Sequence, residues 1–153
     1  MGRGLVIAAA LLGALLLPGA VLAATIAGTP CADHLVGTRG PDRIDGRGGD
    51  DRIRGRNGDD RLIGGGGADL IAGDAGNDVI RGGPGRDTLL GGAGRDRITG
   101  GPAADIIVAG AGDDTIFVQD GELDRVSCGP GRDRVSADSQ DVLGTDCDAV
   151  QRR

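Results

Sequence analysis

Aliphatic residues recur every nine positions through the middle of the chain. Each of these positions holds Ile or Leu from Leu35 to Ile116, and an aspartate always lies two residues before it. Glycines precede that aspartate by five residues in nine of the ten copies, and by two residues in most of them. The unit is therefore G-x-x-G-x-D-x-(I/L)-x, and ten units run without a gap over residues 28–117. Ile26 is predicted to be the aliphatic residue of an incomplete unit before the first.

This spacing predicts one short strand and one glycine-rich turn in each unit. The strand is x-(I/L)-x, whose central side chain lies on one side and its neighbours on the other. Glycines suit the turn because tight turns need positive φ angles and close backbone approach. Two units make a coil of 18 residues, and coils stack as parallel strands about 4.8 Å apart. We therefore predict an all-β protein, a right-handed parallel β-roll (β-helix solenoid) of about five 18-residue coils with a C-terminal cap.

The composition agrees with a repeat protein that has a thin core. Glycine supplies 32 of 153 residues, and each glycine disfavours a helix interior by about 1 kcal/mol. From residue 24 onward Ile, Leu, Val and Phe make up only 20% of the chain, so another factor must help it fold. The formal charge of −6 and the single aromatic residue argue against a nucleic-acid partner.

Residues 82–90 (GGPGRDTLL) and 91–99 (GGAGRDRIT) resemble the glycine-rich nonapeptide repeats of the RTX, or haemolysin-type, calcium-binding family. Stacked carboxylates about 5 Å apart repel, and Ca²⁺ between turns would remove that repulsion. The resemblance implies several Ca²⁺ ions, each held between successive turns by the repeat aspartate and by turn carbonyls. The implied ligands are Asp33, Asp42, Asp51, Asp60, Asp69, Asp78, Asp87, Asp96, Asp105 and Asp114.

Units two apart share an edge of the stack, so the ten aspartates form two columns of five with up to eight gaps for ions. Cys31 and Ala103 replace a turn glycine, which predicts weaker sites nearest Asp33 and Asp105. Some units carry a further polar residue just before the aspartate. These residues are Asp50, Asp59, Asn77 and Asp113. We interpret them as solvated turn residues, the alternative being that they bind the ion directly.

The two ends of the chain predict export and a cap. Residues 1–23 combine Arg3, an apolar stretch and small residues before a cleavage point after Ala23, the form of a secretory signal peptide. The protein is therefore predicted to be secreted and extracellular, with no membrane span. Residues 24–126 would form the β-roll, and residues 127–153 a degenerate repeat and cap stapled by a Cys128–Cys147 disulfide. Cys31 lies too far away to join this disulfide and is expected to be buried or free, the alternative being an intermolecular bridge.

One predicted sheet carries arginines outward, and the other carries an apolar strip. The strip consists of Leu70, Leu90, Ile106 and Val108, together with Ala72. We expect the C-terminal segment to cover it, the alternative being a protein or cell-surface partner. With one histidine, His34, and no room for a catalytic domain, an enzyme is not expected. The sequence predicts a secreted calcium-binding protein whose folding is coupled to extracellular calcium, or alternatively a calcium-stabilised adhesion or matrix scaffold.

Overall fold

A computed structural model describes residues 22–152, which wind into a parallel β-solenoid of about seven coils. Fifteen strands form two sheets, and strands adjacent in sequence alternate between them. The first sheet contains β1 (Thr25–Ala27), β3 (Arg43–Gly48), β5 (Arg61–Gly66), β7 (Val79–Arg81), β9 (Arg97–Thr99), β11 (Thr115–Val118), β13 (Arg134–Ala137) and β15 (Ala149–Arg152). The second contains β2 (His34–Val36), β4 (Arg52–Asn57), β6 (Leu70–Ala75), β8 (Thr88–Ala93), β10 (Ile106–Ala111), β12 (Arg125–Ser127) and β14 (Val142–Leu143).

All strand pairs are parallel, and their register follows the aliphatic column. Ile44 pairs with Leu62, one coil of 18 residues further along. Beyond β11 a one-residue insertion lengthens the step, so that Ile107 pairs with Val126. The aliphatic residues therefore stay aligned even where the sequence period changes. Residues 22–152 contain no helix, and so none there is long and apolar enough to cross a membrane.

The core is a narrow double column of aliphatic side chains between the two sheets. Each strand from β1 to β13 contributes its second residue, and none of these residues is more than 4% exposed. This burial confirms the inward direction predicted for the repeated Ile and Leu, and Ile26 belongs to the column as expected. Hydrophobic burial of one residue per strand is modest, which agrees with the low apolar content of the chain.

The coil count and the fate of the C-terminal segment differ from the prediction. About seven coils are present instead of about five, because β1 and the degenerate strands β12–β15 continue the stack at its ends. The expectation that the C-terminal segment covers the apolar strip is wrong. β14 pairs with β12 and β15 with β13, so each extends its sheet edge-on, and Leu70, Ile106 and Val108 remain at least 40% exposed.

The predicted disulfide is present at the C-terminal end of the solenoid. Cys128 and Cys147 are bonded, with their Cα atoms 5.2 Å apart, and the Cys128 side chain packs in the core. Cys31 is a free, exposed thiol near the opposite end. The predicted signal peptide falls almost wholly on residues 1–21, outside the described residues.

Candidate metal centre

All ten aspartates of the repeat lie inside the solenoid, where each is at most 6% exposed. Each aspartate is two residues before a core aliphatic, so strand alternation directs both side chains inward. Strand register stacks the aspartates in two columns, one along each edge. Asp124, Asp133 and Asp141 continue these columns and are equally buried. We call this double column the aspartate ladder.

One carboxylate oxygen of each rung is used by the backbone. The N–H of Asp60 donates to Oδ1 of Asp78 at 2.8 Å, and the N–H of Asp78 donates to Oδ1 of Asp96 at 2.8 Å. The same bond recurs from Asp33 to Asp141 along both columns. Each aspartate therefore holds the backbone of the preceding coil in place through this hydrogen bond.

The second carboxylate oxygen, Oδ2, has no hydrogen-bond donor in ten of the rungs. A buried polar atom without a partner is rare and destabilising in a folded protein. Ten such atoms in two regular rows are suited to contact a positive group. The rungs concerned are Asp51, Asp60, Asp69, Asp78, Asp87, Asp96, Asp105, Asp114, Asp124 and Asp133.

The first two rungs differ because threonines occupy their turns. The hydroxyl and the backbone N–H of Thr29 donate to Oδ2 of Asp33, and Thr38 does the same for Asp42. In the following units the equivalent turn residue has a positive φ, even where it is Arg47 (77°). A non-glycine residue in that region is strained, and there Oδ2 receives no such bond.

The glycine five residues before each aspartate leaves space beside Oδ2. A Cβ built on Gly64 would lie within 3.0 Å of both Asp69 Oδ2 and the carbonyl oxygen of Gly82, one coil further on. Gly46, Gly55, Gly73, Gly82 and Gly91 have equivalent surroundings. Each interior rung thus places a carboxylate oxygen and a backbone carbonyl oxygen around one small gap. Hard oxygen donors of these two kinds are the ligands that Ca²⁺ prefers, so the residues fit that ion.

Burial makes the ladder carboxylates resist ionisation. Desolvation is the main cause, partly offset by the backbone N–H bond, and neighbouring aspartates of the ladder add repulsion. Together these effects raise the pKa to about 7 for Asp78, Asp87 and Asp105, and to about 6 for Asp51, Asp60, Asp96 and Asp124. A cation beside the ladder would offset this cost by favouring the ionised form.

Within residues 22–152, no three His, Cys, Asp or Glu side chains converge on one point. An ion at the ladder would therefore take one or two carboxylates and complete its shell with backbone carbonyls. The polar residues that precede the rungs lie outside, at the turns. Oδ1 of Asp59 accepts the backbone N–H of Asn77 at 2.7 Å, and Asn77 accepts that of Arg95 at 2.9 Å. They bind one turn to the next.

A family model described as the RTX calcium-binding nonapeptide repeat (4 copies) matches residues 28–62, 54–89 and 81–116. These matches span more than half of the chain. The chain belongs to the RTX calcium-binding repeat family. Membership indicates calcium binding, and proteins with RTX repeats are typically extracellular. A comparison with curated proteins found no matching sequence.

The RTX match ends at residue 116, whereas the aspartate ladder does not. Asp124 and Asp133 have the same orphaned Oδ2 as the interior rungs, although they were not among the predicted ligands. The signal was present in the sequence, because each lies two residues before a buried valine, Val126 or Val135. The sequence shows both as parts of two degenerate units after a one-residue slip, and only the aspartates of the ten regular units were predicted as ligands.

Proposed function

We propose that this protein is a secreted calcium-binding solenoid that folds when Ca²⁺ neutralises its aspartate ladder. The observation that carries the proposal is the double row of ten buried Oδ2 atoms without donors. Family membership supports calcium as the ion. The protein's task on this proposal is binding and scaffolding, since the carboxylates are arranged as a uniform series and His34 is an exposed strand residue.

The ten repeat aspartates, Asp33 to Asp114, are the proposed ligands, and the interior rungs are the strongest candidates. Asp33 and Asp42 already receive threonine hydrogen bonds, so they compete less well for an ion. Asp124 and Asp133 join the set on the evidence of their orphaned oxygens. The glycine carbonyls beside each Oδ2, such as Gly82 O beside Asp69, would supply further ligands.

Coupling between calcium and folding follows from the energetics of the ladder. Without an ion, each ionised rung places an unneutralised charge in the interior, and the thin aliphatic column offers limited compensation. Binding free energy then becomes folding free energy, because the site forms only when coils stack. A low-calcium compartment would keep the chain unfolded. The signal peptide predicted at residues 1–23 and the Cys128–Cys147 disulfide support release into an oxidising, calcium-rich exterior.

The direct test is far-UV circular dichroism of residues 24–153 during titration with Ca²⁺, with Mg²⁺ as the control ion. We expect a cooperative transition from coil to β-structure with Ca²⁺ alone, because Mg²⁺ demands a rigid octahedral shell and keeps its water. A spectrum that is unchanged by Ca²⁺ and by chelator would contradict the proposal.

A pair of variants connects the transition to the ladder. Asp60→Asn removes a charge from a buried rung, whereas Asp59→Asn removes one from the adjacent exposed turn residue. Both substitutions change the net charge equally. We expect Asp60→Asn to raise the calcium concentration at the midpoint and to reduce the number of ions bound in calorimetry. Asp59→Asn should leave both close to wild type, and equal effects of the two variants would argue against the ladder as the site.

A further inference from the structure

Folding separates the acidic residues of this chain from its basic ones. Thirteen of the aspartates in residues 22–152 are buried, so only ten acidic side chains remain outside the core. All fifteen arginines of the same range are exposed. The formal charge of the whole sequence is −6, but the surface of the solenoid carries five more positive than negative groups. Once bound ions neutralise the buried aspartates, the surface that other molecules contact has a net positive charge.

The first sheet concentrates this positive charge on its outer face. Arginines point outward from β3, β5, β7, β9 and β13, but not from β1 or β11. Arg43 is in register with Arg61, and Ile63 with Arg81. Parallel strands lie about 4.8 Å apart. Arg43, Arg61, Arg97 and Arg134 share one register column, which Val79 and Thr115 interrupt, and Arg81 lies in the adjacent column of the same face. We call this set the arginine row: Arg43, Arg61, Arg81, Arg97 and Arg134.

The arginine row is not neutralised by the described part of the protein. The two salt bridges found in residues 22–152 join Arg54 to Asp74 and Arg95 to Asp113, and neither involves the row. Asp45 is the one acidic residue on the outer face of that sheet. The guanidinium of Arg97 lies over the ring of Phe117, 4.3 Å from its centroid. Like charges directly opposite on neighbouring strands, such as Arg43 and Arg61, destabilise a sheet, and a bound anion would relieve that repulsion.

We propose that the arginine row binds a linear acidic polysaccharide that carries carboxylate groups. A rigid, flat face whose guanidinium groups follow one another at intervals of about 5 to 10 Å complements an extended chain with spaced carboxylates. Guanidinium groups pair with carboxylates through two parallel hydrogen bonds. A nucleic acid fits less well, since the one aromatic ring is covered by Arg97 and no other is available for base stacking. This inference rests on the proposed calcium binding in one respect, which is that bound Ca²⁺ neutralises the buried aspartates.

The test measures binding of the calcium-loaded chain, from residue 24 onward, to immobilised hyaluronan, with neutral dextran as the reference polymer. One variant carries Arg43→Gln, Arg61→Gln and Arg97→Gln. The matched control removes the same charge elsewhere and carries three substitutions from the second sheet and the turns: Arg52→Gln, Arg86→Gln and Arg132→Gln. Circular dichroism with calcium establishes that each variant folds, and therefore separates a failure of this inference from a failure of the calcium proposal.

We expect the row variant to lose at least tenfold in affinity for hyaluronan and the control to lose about twofold or less. Binding should also weaken with added salt, less steeply for the row variant. Equal losses in both variants, or binding to dextran as tight as to hyaluronan, would overturn the assignment of the row. Tighter binding to an oligothymidylate or to phosphatidylglycerol vesicles would overturn the choice of a polysaccharide.

Discussion

The metal-free chain should become less stable as the pH rises, opposite to the behaviour of most acidic proteins. Burial raises the pKa of Asp78, Asp87 and Asp105 from 3.8 to about 7. Because these folded-state values exceed the unfolded ones, the folded chain holds protons that the unfolded chain releases between about pH 4 and pH 7. Stability from these groups is complete below that window and is lost as the pH rises through it.

The magnitude is large compared with the stability of a domain. A shift of about three pKa units corresponds to about 4 kcal/mol for each carboxylate that ionises in the folded state. Whole domains have about 5–15 kcal/mol of stability, so ionisation of several rungs in the folded state would remove much or all of it. Chelated protein is therefore expected to be folded near pH 4.5 and unfolded near pH 8. Calcium should reverse the trend, because protons compete with Ca²⁺ for the carboxylates.

The assay is circular dichroism from pH 4.5 to pH 8, once with chelator and once with excess Ca²⁺, with urea unfolding at each pH where the chain is folded. Stability should fall as the pH rises in the chelated protein and increase with pH in the calcium-bound protein. A control with Asp78→Asn, Asp87→Asn and Asp105→Asn removes three ionisable rungs and should make the metal-free curve less steep, while Asp51, Asp60, Asp96 and Asp124 still ionise. If the stability of the chelated protein stays constant or rises with pH, the ladder carboxylates are not desolvated as described and the reasoning is wrong.

Two further predictions concern the turns and the C-terminal end. Gly64→Ala would place its Cβ against Asp69 Oδ2, so we expect a loss of about 1–3 kcal/mol and weaker calcium binding. Gly66→Ala, whose Cβ would lie 4.0 Å from the carbonyl oxygen of Pro84, should be tolerated, and equal denaturation midpoints for the two variants would contradict this account. Replacing Cys128 and Cys147, 19 residues apart, with serine should lower the calcium-bound unfolding free energy by about 3 kcal/mol. An unchanged urea midpoint would refute this.

The period of nine was sufficient to predict the strands, the aliphatic core and the stacking of the aspartates in two columns, because strand alternation and the two-unit coil determine all three. It could not predict the full length of the stack. Two degenerate units with Asp124 and Asp133 were visible after a one-residue slip, but β14 and β15 follow no repeat and extend the sheets only through strand pairing. Glycine turns and aliphatic positions are local properties, and they were therefore visible in the sequence.

Other features depend on the geometry between coils. The contrast between Asp42, bonded by Thr38, and the orphaned Asp51 arises from the turn angle at Arg47. The positive surface was hidden as well, because formal charge counts buried and exposed acids alike. The predicted path of the C-terminal segment was wrong. A segment that pairs with the edge of a sheet satisfies its backbone hydrogen bonds, whereas a segment that lies across the face of a sheet does not.

Alternation of strands between two sheets also restricts how the length of this protein can change during evolution. Loss or duplication of 18 residues would remove or add a whole coil and leave every downstream strand on its original sheet. A change of nine residues would transfer all downstream strands to the opposite sheet. Arg97 would then leave the face that carries Arg43, and Ile106 would leave the face of Leu70. Because two different outer surfaces must each stay continuous, repeats are expected to be gained and lost in pairs.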